Sequence, residues 1–523
     1  MRNNMPFDLE EATIADLQSR LESGESTAVK LVESYLERIE AIDRGGIRLG
    51  SVIEVNPDAE EIAERLDVER RERGSRGPLH GIPVLVKDNL DTADRMMTTA
   101  GSLALVGHRA QRDATVVRAL RDAGAVIIGK LNLSEWANFR SPHSISGWSG
   151  RGGQCRNPYA LDRTPWGSSG GSGAAASANL AAATIGTETD GSIVLPAAAC
   201  GVVGVKPTVG LTSRAGVIPI SSSQDTVGPL ARTVADAAAV LSVIVTGADP
   251  LDPATSGAAE SAGIDYTRFL DAGGLVGARI GLPRKVYFGY SEKADAVAEE
   301  AIRALRDLGA EVIDPADLPH SEHLTFLGTE LTVLLYEFKA GLNAYLSRVG
   351  SDLSVHSLAD VIAFNEQHAA DELQYFGQET MLQADAKGSL DEAEYLMALE
   401  LSHRLSRQEG IDAVMDEHRL DALVMPTTSP PWKIDYILGD HIQGMGTSPA
   451  AMAGYPLVTV PAGFVHGVPV GLLFTGRAYS EGTLLRLAFA FEQGTKHRRP
   501  PRFLPQIPED IPVGDHAVAS QHG

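Results

Sequence analysis

Cysteine is nearly absent: a chain of 523 residues carries only Cys155 and Cys200. Two cysteines cannot build a disulfide framework, and their scarcity fits a reducing compartment. Positive charge is also short, with 45 Lys and Arg against 68 Asp and Glu and a net charge of -23. Nucleic-acid binding needs clustered cations for the phosphates, so that function class is excluded, and an anionic membrane surface fits no better. No stretch reaches the roughly 18 to 20 apolar residues of a membrane span; windows such as 235–245 are too short. The opening MRNNMPFDLEEATIADLQ has neither the apolar run nor the small-residue cleavage site of a secretory signal. The reading is a cytoplasmic protein that binds neither membrane nor nucleic acid.

Metal and cofactor signatures are missing too. No HExxH occurs, and DNLDTAD, from Asp88, spaces its acids by three, whereas a calcium loop alternates ligands by two. No metal and no cofactor are expected. None of the 14 histidines sits beside a GxSxG elbow, so a histidine-based triad has no visible seat.

What is present is ordinary globular material, 43% hydrophobic and 22% charged, enough for a large core. Ile14, Leu17 and Leu21 make one helical face; after Gly24, Ser26 is placed to cap a second helix with Leu31, Tyr35, Leu36 and Ile39. GIPVLVKDN carries a continuous apolar run, Ile82 to Val86, of the kind buried on both faces of a sheet. An amphipathic helix from Asp113 to Ala123 and a strand at AVIIG follow, and this alternation predicts α/β architecture. Later strands are expected at ARIGLP, at 310–313, and at ALVMP, LVTVPAG and VGLLFTG; helices are expected at 295–308, 331–346, 391–417 and 481–492. DPLDPATSGAAESAG, from Asp249, reads as a polar loop, and the tail, 503–523, as loosely ordered. One domain over 1–523 is expected.

The chemistry has two candidate carriers. The stretch WGSSGGSGAAASANLAAATIGTETDGSIVLP, from Trp166, is rich in Gly and Ser and has no histidine, cysteine or lysine. Gly171, Gly173 and Ala176 loosely match a dinucleotide fingerprint, but a turn precedes them instead of a buried strand. Ala174 to Ala183 reads as a small-residue helix, and GTETDGS, from Gly186, as a tight turn whose N–H groups could converge on an anion. Taken alone, a Gly/Ser stretch of this kind is more often a structural loop. Lys87, at the end of the buried run, is the second carrier. A lysine acts as a base when burial holds it neutral, which from about 10.4 needs a fall of roughly three pKa units, or about 4 kcal/mol. A surface lysine at a strand end is the competing reading.

Together these residues resemble the amidase signature family of serine hydrolases. The block Gly167 to Gly210 is similar to the family's signature, and GIPVLVKDN to the segment bearing its lysine. NLSEWANFR, DTVGPLART, MPTTSPPW and AGYPLVTVPAG extend the resemblance from about Phe7 to Arg502. It implies a large mixed, twisted sheet covered by helices on both faces. It implies a Ser–Ser–Lys triad in which Lys87 is the base, Ser168, with a cis peptide bond, the bridge, and Ser192 the nucleophile. The two serines are 24 residues apart, as in the family. The backbone N–H groups of Thr189, Asp190, Gly191 and Ser192 would form the oxyanion hole, with Ser169, Gly170 and Gly171 supporting the loop.

Departures from the family's common form narrow the resemblance. GTETDGSIV stands where GTDTGGSIR is common, so Asp190 replaces a glycine and Val194 an arginine. Trp166 stands where glycine is frequent. With NFRSPHSISGWSGRGGQCRNPY and GLTSRAGVIPISSSQDT, these variants are most similar to the peptide amidase branch, which releases ammonia from C-terminal peptide amides. Asn138, Ser141 and Trp166 are candidate substrate contacts. The alternatives are an aryl-acylamide or other small-amide hydrolase, and an A-type subunit of an amidotransferase. The expected state is a monomer or homodimer acting on a small-molecule or peptide amide.

Overall fold

The apolar runs of the sequence become strands buried on both faces. In the computed structural model, which describes residues 9–326, 328–351 and 353–508, thirteen strands are present. They are β1 (Val52–Val55), β2 (Pro83–Lys87), β3 (Val126–Leu131), β4 (Trp148–Ser149), β5 (Gly153–Gln154), β6 (Ala183–Glu188), β7 (Val203–Lys206), β8 (Thr226–Ala231), β9 (Arg279–Gly281), β10 (Glu311–Ile313), β11 (Ala422–Pro426), β12 (Leu457–Val465) and β13 (Val468–Thr475). Eleven form one mixed sheet in the order β1-β3-β2-β6-β8-β7-β12-β13-β11-β9-β10, and β4 and β5 make a separate ribbon. β2 lies parallel to both β3 and β6, whereas β8, β7, β12 and β13 run antiparallel to their neighbours.

Side-chain alternation explains the layers. Leu423, Met425, Leu457 and Leu473 join one apolar cluster with the helices Val194–Ala199, Asp412–His418 and Ser448–Ala453. Their strand neighbours Val424, Val458, Leu472 and Phe474 join another with Val234–Ile244, Glu292–Asp307 and Glu481–Thr495. A strand with apolar residues on both faces needs cover on both. The expected mixed sheet with helices on each face is therefore present. Helices Thr329–Leu346, Leu358–Gln367 and Glu379–Asp385 build a further apolar cluster with Trp136, Ile218 and Ile220.

The Gly/Ser stretch folds differently from its sequence reading. Its helix is Gly170–Ser177, and Ala183 already begins β6. Gly170 and Gly171 are thus the first turn of a helix, not loop. All eight helix residues are buried, and the glycines allow the close approach. A Cβ on Gly171 would lie 2.3 Å from the Asn132 carbonyl oxygen, and one on Gly173 2.7 Å from that of Pro196. Gly171→Ala is expected to destabilise the protein by about 1–3 kcal/mol or more through overpacking, read as a lower urea midpoint.

Other differences have local causes. Thr27, not Ser26, caps the second helix, because its Oγ1 accepts the Lys30 N–H at 3.2 Å. The helix expected over 391–417 is broken: Gly410, at φ -120 and ψ -107, separates Ala393–Ser406 from Asp412–His418. The polar loop from Asp249 carries a 3-10 helix, Pro253–Ser261, capped by Asp252. The start of the expected tail is tied down, Leu161 N–H donating to the Leu504 carbonyl at 2.8 Å and Phe503 N–H to that of Pro158 at 3.0 Å. Residues 509–523 and Phe7 lie outside the described residues. Among those described, no helix is long and apolar enough to cross a membrane.

Candidate active site

Parallel pairing of β2 with β6 brings two strand ends together, the usual place for a ligand site in an α/β sheet. β2 ends in Lys87, and β6 ends in Glu188 and runs into the turn 189–192 and the helix Val194–Ala199. The Gly/Ser loop closes over both. Lys87 is fully buried, with Nζ 2.8 Å from Ser168 Oγ, 2.9 Å from Ser169 Oγ, 2.8 Å from Thr187 Oγ1 and 3.3 Å from the Thr187 carbonyl. Burial pushes the Lys87 ammonium down to about 7, although the nearby Asp225 and Glu188 charges favour its protonated form. No carboxylate among the described residues forms an ion pair with it.

Ser168 follows a cis Gly167–Ser168 peptide bond, the feature the family resemblance implies. Its carbonyl accepts the Ser134 N–H at 3.0 Å, and a Cβ on Gly167 would meet Ser134 Oγ at 2.3 Å. Ser169 donates its hydroxyl to the Thr187 carbonyl at 3.0 Å, and its N–H to the Ser192 carbonyl at 3.1 Å. Ser192 is therefore joined to Lys87 and Ser168 through backbone, while those two touch directly. Of the three serines, Ser192 is the most open, at 8% against 1% and 0% for Ser168 and Ser169.

The turn before Ser192 is held from below. Glu188 Oε1 accepts the Gly191 N–H at 2.9 Å, and Oε2 accepts those of Ile193 at 2.7 Å and Val194 at 2.9 Å. Of the four expected oxyanion donors, the Gly191 amide points to Glu188 in this structure. The N–H groups of Thr189, Asp190 and Ser192 are not taken up by another acceptor among the described residues. Gly191 itself is required, at φ +78 with its missing Cβ 2.2 Å from Leu195 Cδ1. Burial pushes the Glu188 carboxyl up to about 7, opposed by Lys206 and the backbone donors. Thr189 Oγ1 donates to Asp225 Oδ1 at 2.6 Å, and Ser448 Oγ to Asp190 Oδ2 at 2.7 Å.

The candidate substrate contacts divide. Trp166 stacks edge-on against Trp432, ring centroids 4.6 Å apart, and leads directly into Gly167–Ser168. Ser141 donates its hydroxyl to Glu379 at 2.6 Å and so is occupied within the fold. Asn138 ends a left-handed run, Trp136, Ala137 and Asn138 at φ +50, +54 and +73. Such residues cost about 1–2 kcal/mol each, a concentration of strain common near functional sites. Sequence reading missed Glu188, Thr187, Asp225, Ser448 and Asn89, whose side-chain amide donates to Thr187 Oγ1 at 3.0 Å. A carboxylate three residues before the glycine of a turn was a usable signal for Glu188; Ser448, distant in the chain, offered none.

Known proteins are similar to this chain along most of their length. A probable amidase of Arabidopsis thaliana is 45% identical over 514 residues, covering 96% of this chain and 94% of that protein. The native peptide amidase of Stenotrophomonas maltophilia matches in structure with a TM-score of 0.89 at 53% identity, covering 95% of this chain and all of that one (100%). A glutamyl-tRNA(Gln) amidotransferase subunit of Chloroflexus aurantiacus, of the A type, is 37% identical over 510 residues, 95% of this chain and 99% of that protein. The family model described as Amidase matches residues 30–485. With most of its length and its lysine strand and serine loop inside that match, the chain belongs to the amidase family, enzymes that hydrolyse amide C–N bonds.

Proposed function

We propose that the protein removes the amide of C-terminal peptide amides or similar primary amides, releasing ammonia through a Ser192–Ser168–Lys87 triad. The observation that carries this reading is the 2.8 Å bond between Ser168 and a buried lysine near neutrality. Neutral Lys87 accepts the Ser168 proton, and Ser168 takes that of Ser192 as its oxygen attacks the amide carbon. The oxyanion forms beside the Thr189, Asp190 and Ser192 amides; a single such donor is typically worth about 2.7–4 kcal/mol. As the C–N bond breaks, Ser168 returns a proton to the nitrogen, and water then cleaves the Ser192 ester.

The peptide amidase resemblance supports the substrate class. Ammonia release from a peptide amide, measured beside aniline release from the anilide of the same acyl group, tests it. The amide is expected to turn over faster; turnover of the anilide alone overturns the assignment. The amidotransferase relative supports a second reading, in which hydrolysis needs partner subunits. Activity of the purified single chain excludes that reading.

The lysine fixes a pH dependence. Only the unprotonated amine accepts a proton, so kcat/KM is expected to rise through about pH 7 and level off by about pH 8–9. A flat profile between about pH 6 and 9 would falsify the base assignment. The stability term has the same sign. Lys87 titrates near 7 in the fold against 10.5 ordinarily, so between those values the unfolded chain binds more protons and stability rises with pH.

A further inference from the structure

Four oxygens surround Lys87 Nζ: Ser168 Oγ, Ser169 Oγ, Thr187 Oγ1 and the Thr187 carbonyl. A neutral amine cannot donate to all of them, because it has two N–H bonds and one lone pair. A base that takes the Ser168 proton needs the lone pair, not an N–H, on Ser168 Oγ. The other neighbours decide whether it points there. Ser169 has already spent its own proton, its hydroxyl donating to the Thr187 carbonyl at 3.0 Å. Facing Nζ at 2.9 Å, Ser169 Oγ therefore accepts, and takes one N–H.

Thr187 is placed to take the other. Its Oγ1 lies 2.8 Å from Nζ and 3.0 Å from Asn89 Nδ2, a group that only donates. With those two donors on its two lone pairs, the Thr187 proton takes the remaining direction, away from the amine. Thr187 and Asn89 are both buried, so bulk water does not compete for these bonds. The same arrangement serves the ammonium. Once Lys87 holds the Ser168 proton it has three N–H bonds, and Ser168, Ser169 and Thr187 Oγ1 accept one each. A Thr187 that accepts in both states needs no rearrangement within a turnover. One that donated to the amine would have to swing its proton away at every transfer.

We propose that Thr187, seated by Asn89, is a positioning residue: it takes the second N–H of Lys87 and so leaves the lone pair on Ser168. This rests on the reading of Lys87 as the base and names the side chain that aims it. Asp225 and Glu188 act on the lysine through space, and no carboxylate among the described residues forms an ion pair with it. The direction of the amine is thus set by hydroxyl groups, whereas its charge is set by burial and the two acids.

The pH profile of kcat/KM on one peptide amide, in the wild type, Thr187→Val and Thr187→Ser, tests this. Valine suits the strand β6 and keeps the side chain's shape while removing the acceptor. With the lone pair no longer aimed, the alkaline plateau is expected to fall at least about tenfold. The ammonium loses an acceptor too, so the midpoint is expected to move down by at least about half a pH unit. Asp225 and Glu188 stay in place in both variants and contribute alike to each profile. Thr187→Ser restores the hydroxyl and is expected to return the midpoint, and the plateau to within about threefold of the wild type. A packing lesion alone lowers the plateau and leaves the midpoint. In Lys87→Ala, which has no amine to aim, adding Thr187→Val is expected to change residual hydrolysis of an activated aryl ester by less than about twofold. If Thr187→Val does not melt cooperatively, Thr187→Ala is read in its place. A plateau at or above that of the wild type, or an unmoved midpoint, overturns the proposal. A Lys87→Ala enzyme that keeps the wild-type profile overturns the parent reading instead.

Discussion

Ser192→Ala is expected to abolish amide hydrolysis, lowering kcat by at least about 10³-fold, while the variant melts within a degree or two of the wild type. The asymmetry follows from what Ser192 does in the fold. Its carbonyl accepts the Ser169 N–H, a backbone bond alanine keeps, and its hydroxyl stands at the one partly open position of the three serines. Lys87→Ala is expected to cost a similar factor in rate, yet it also strips partners from Ser168, Ser169 and Thr187. Combining the two changes should cost no more than either alone, because a nucleophile and its base act as one unit. Ser169→Ala separates support from chemistry. It removes one Lys87 contact and the bond to the Thr187 carbonyl, so a smaller loss, concentrated in kcat, is expected. A Ser192→Ala protein retaining a tenth of the wild-type rate would sink the nucleophile assignment.

The strands that position Lys87 were legible because each is a continuous apolar run, and such a run has only a doubly covered sheet to go to. Pro83 opening β2 and Gly124 closing the helix before β3 were equally readable from chemistry inside a few residues. The Gly/Ser stretch was not readable in the same way. Local propensity made Gly170 and Gly171 loop and Ala181 to Ala183 helix. The fold reverses both, because the space beside Asn132 and Pro196 admits only glycine, and β6 needs Ala183 to pair with Val84. Tertiary contact therefore decided what propensity could not. The same holds for the site. Lys87 and the serines could be picked out from chain order and a long resemblance, but Asp225, Thr447 and Ser448 reach the turn from other elements. The sequence around Ser448 has no feature that marks it as a neighbour of Asp190. The resemblance that places the Gly191 N–H among the oxyanion donors says nothing of Glu188, whose side chain accepts that N–H from the strand below.

Glu188→Ala is expected to be the most damaging single change at the site for stability, and to lower the rate as well. Among the described residues the carboxylate is the only acceptor for the N–H groups of Gly191, Ile193 and Val194, all buried. Each unsatisfied donor costs about 1–3 kcal/mol. Relief from burying an acid offsets part of this, leaving a loss of roughly 3–5 kcal/mol, the range seen when a buried charged group's partners are stranded. Urea unfolding should show a lower midpoint at unchanged slope. Activity should fall by about 10² or more, because the turn that presents the Thr189, Asp190 and Ser192 amides is no longer fixed. Glu188→Gln keeps one acceptor oxygen and turns a donor toward the remaining N–H groups, so about half of the stability loss is expected. The pH signature distinguishes this from simple repacking. Burial raises the Glu188 carboxyl from 4.5 to about 7, so between those values the folded state binds the additional proton and stability falls as pH rises. Other buried acids, Glu492 among them, add slopes of the same sign, so Glu188→Ala and Glu188→Gln should both make the slope shallower by one group's share, whereas Ser192→Ala should leave it unchanged. Two Glu188 variants that unfold at the wild-type midpoint would mean that the turn is held by its backbone path alone.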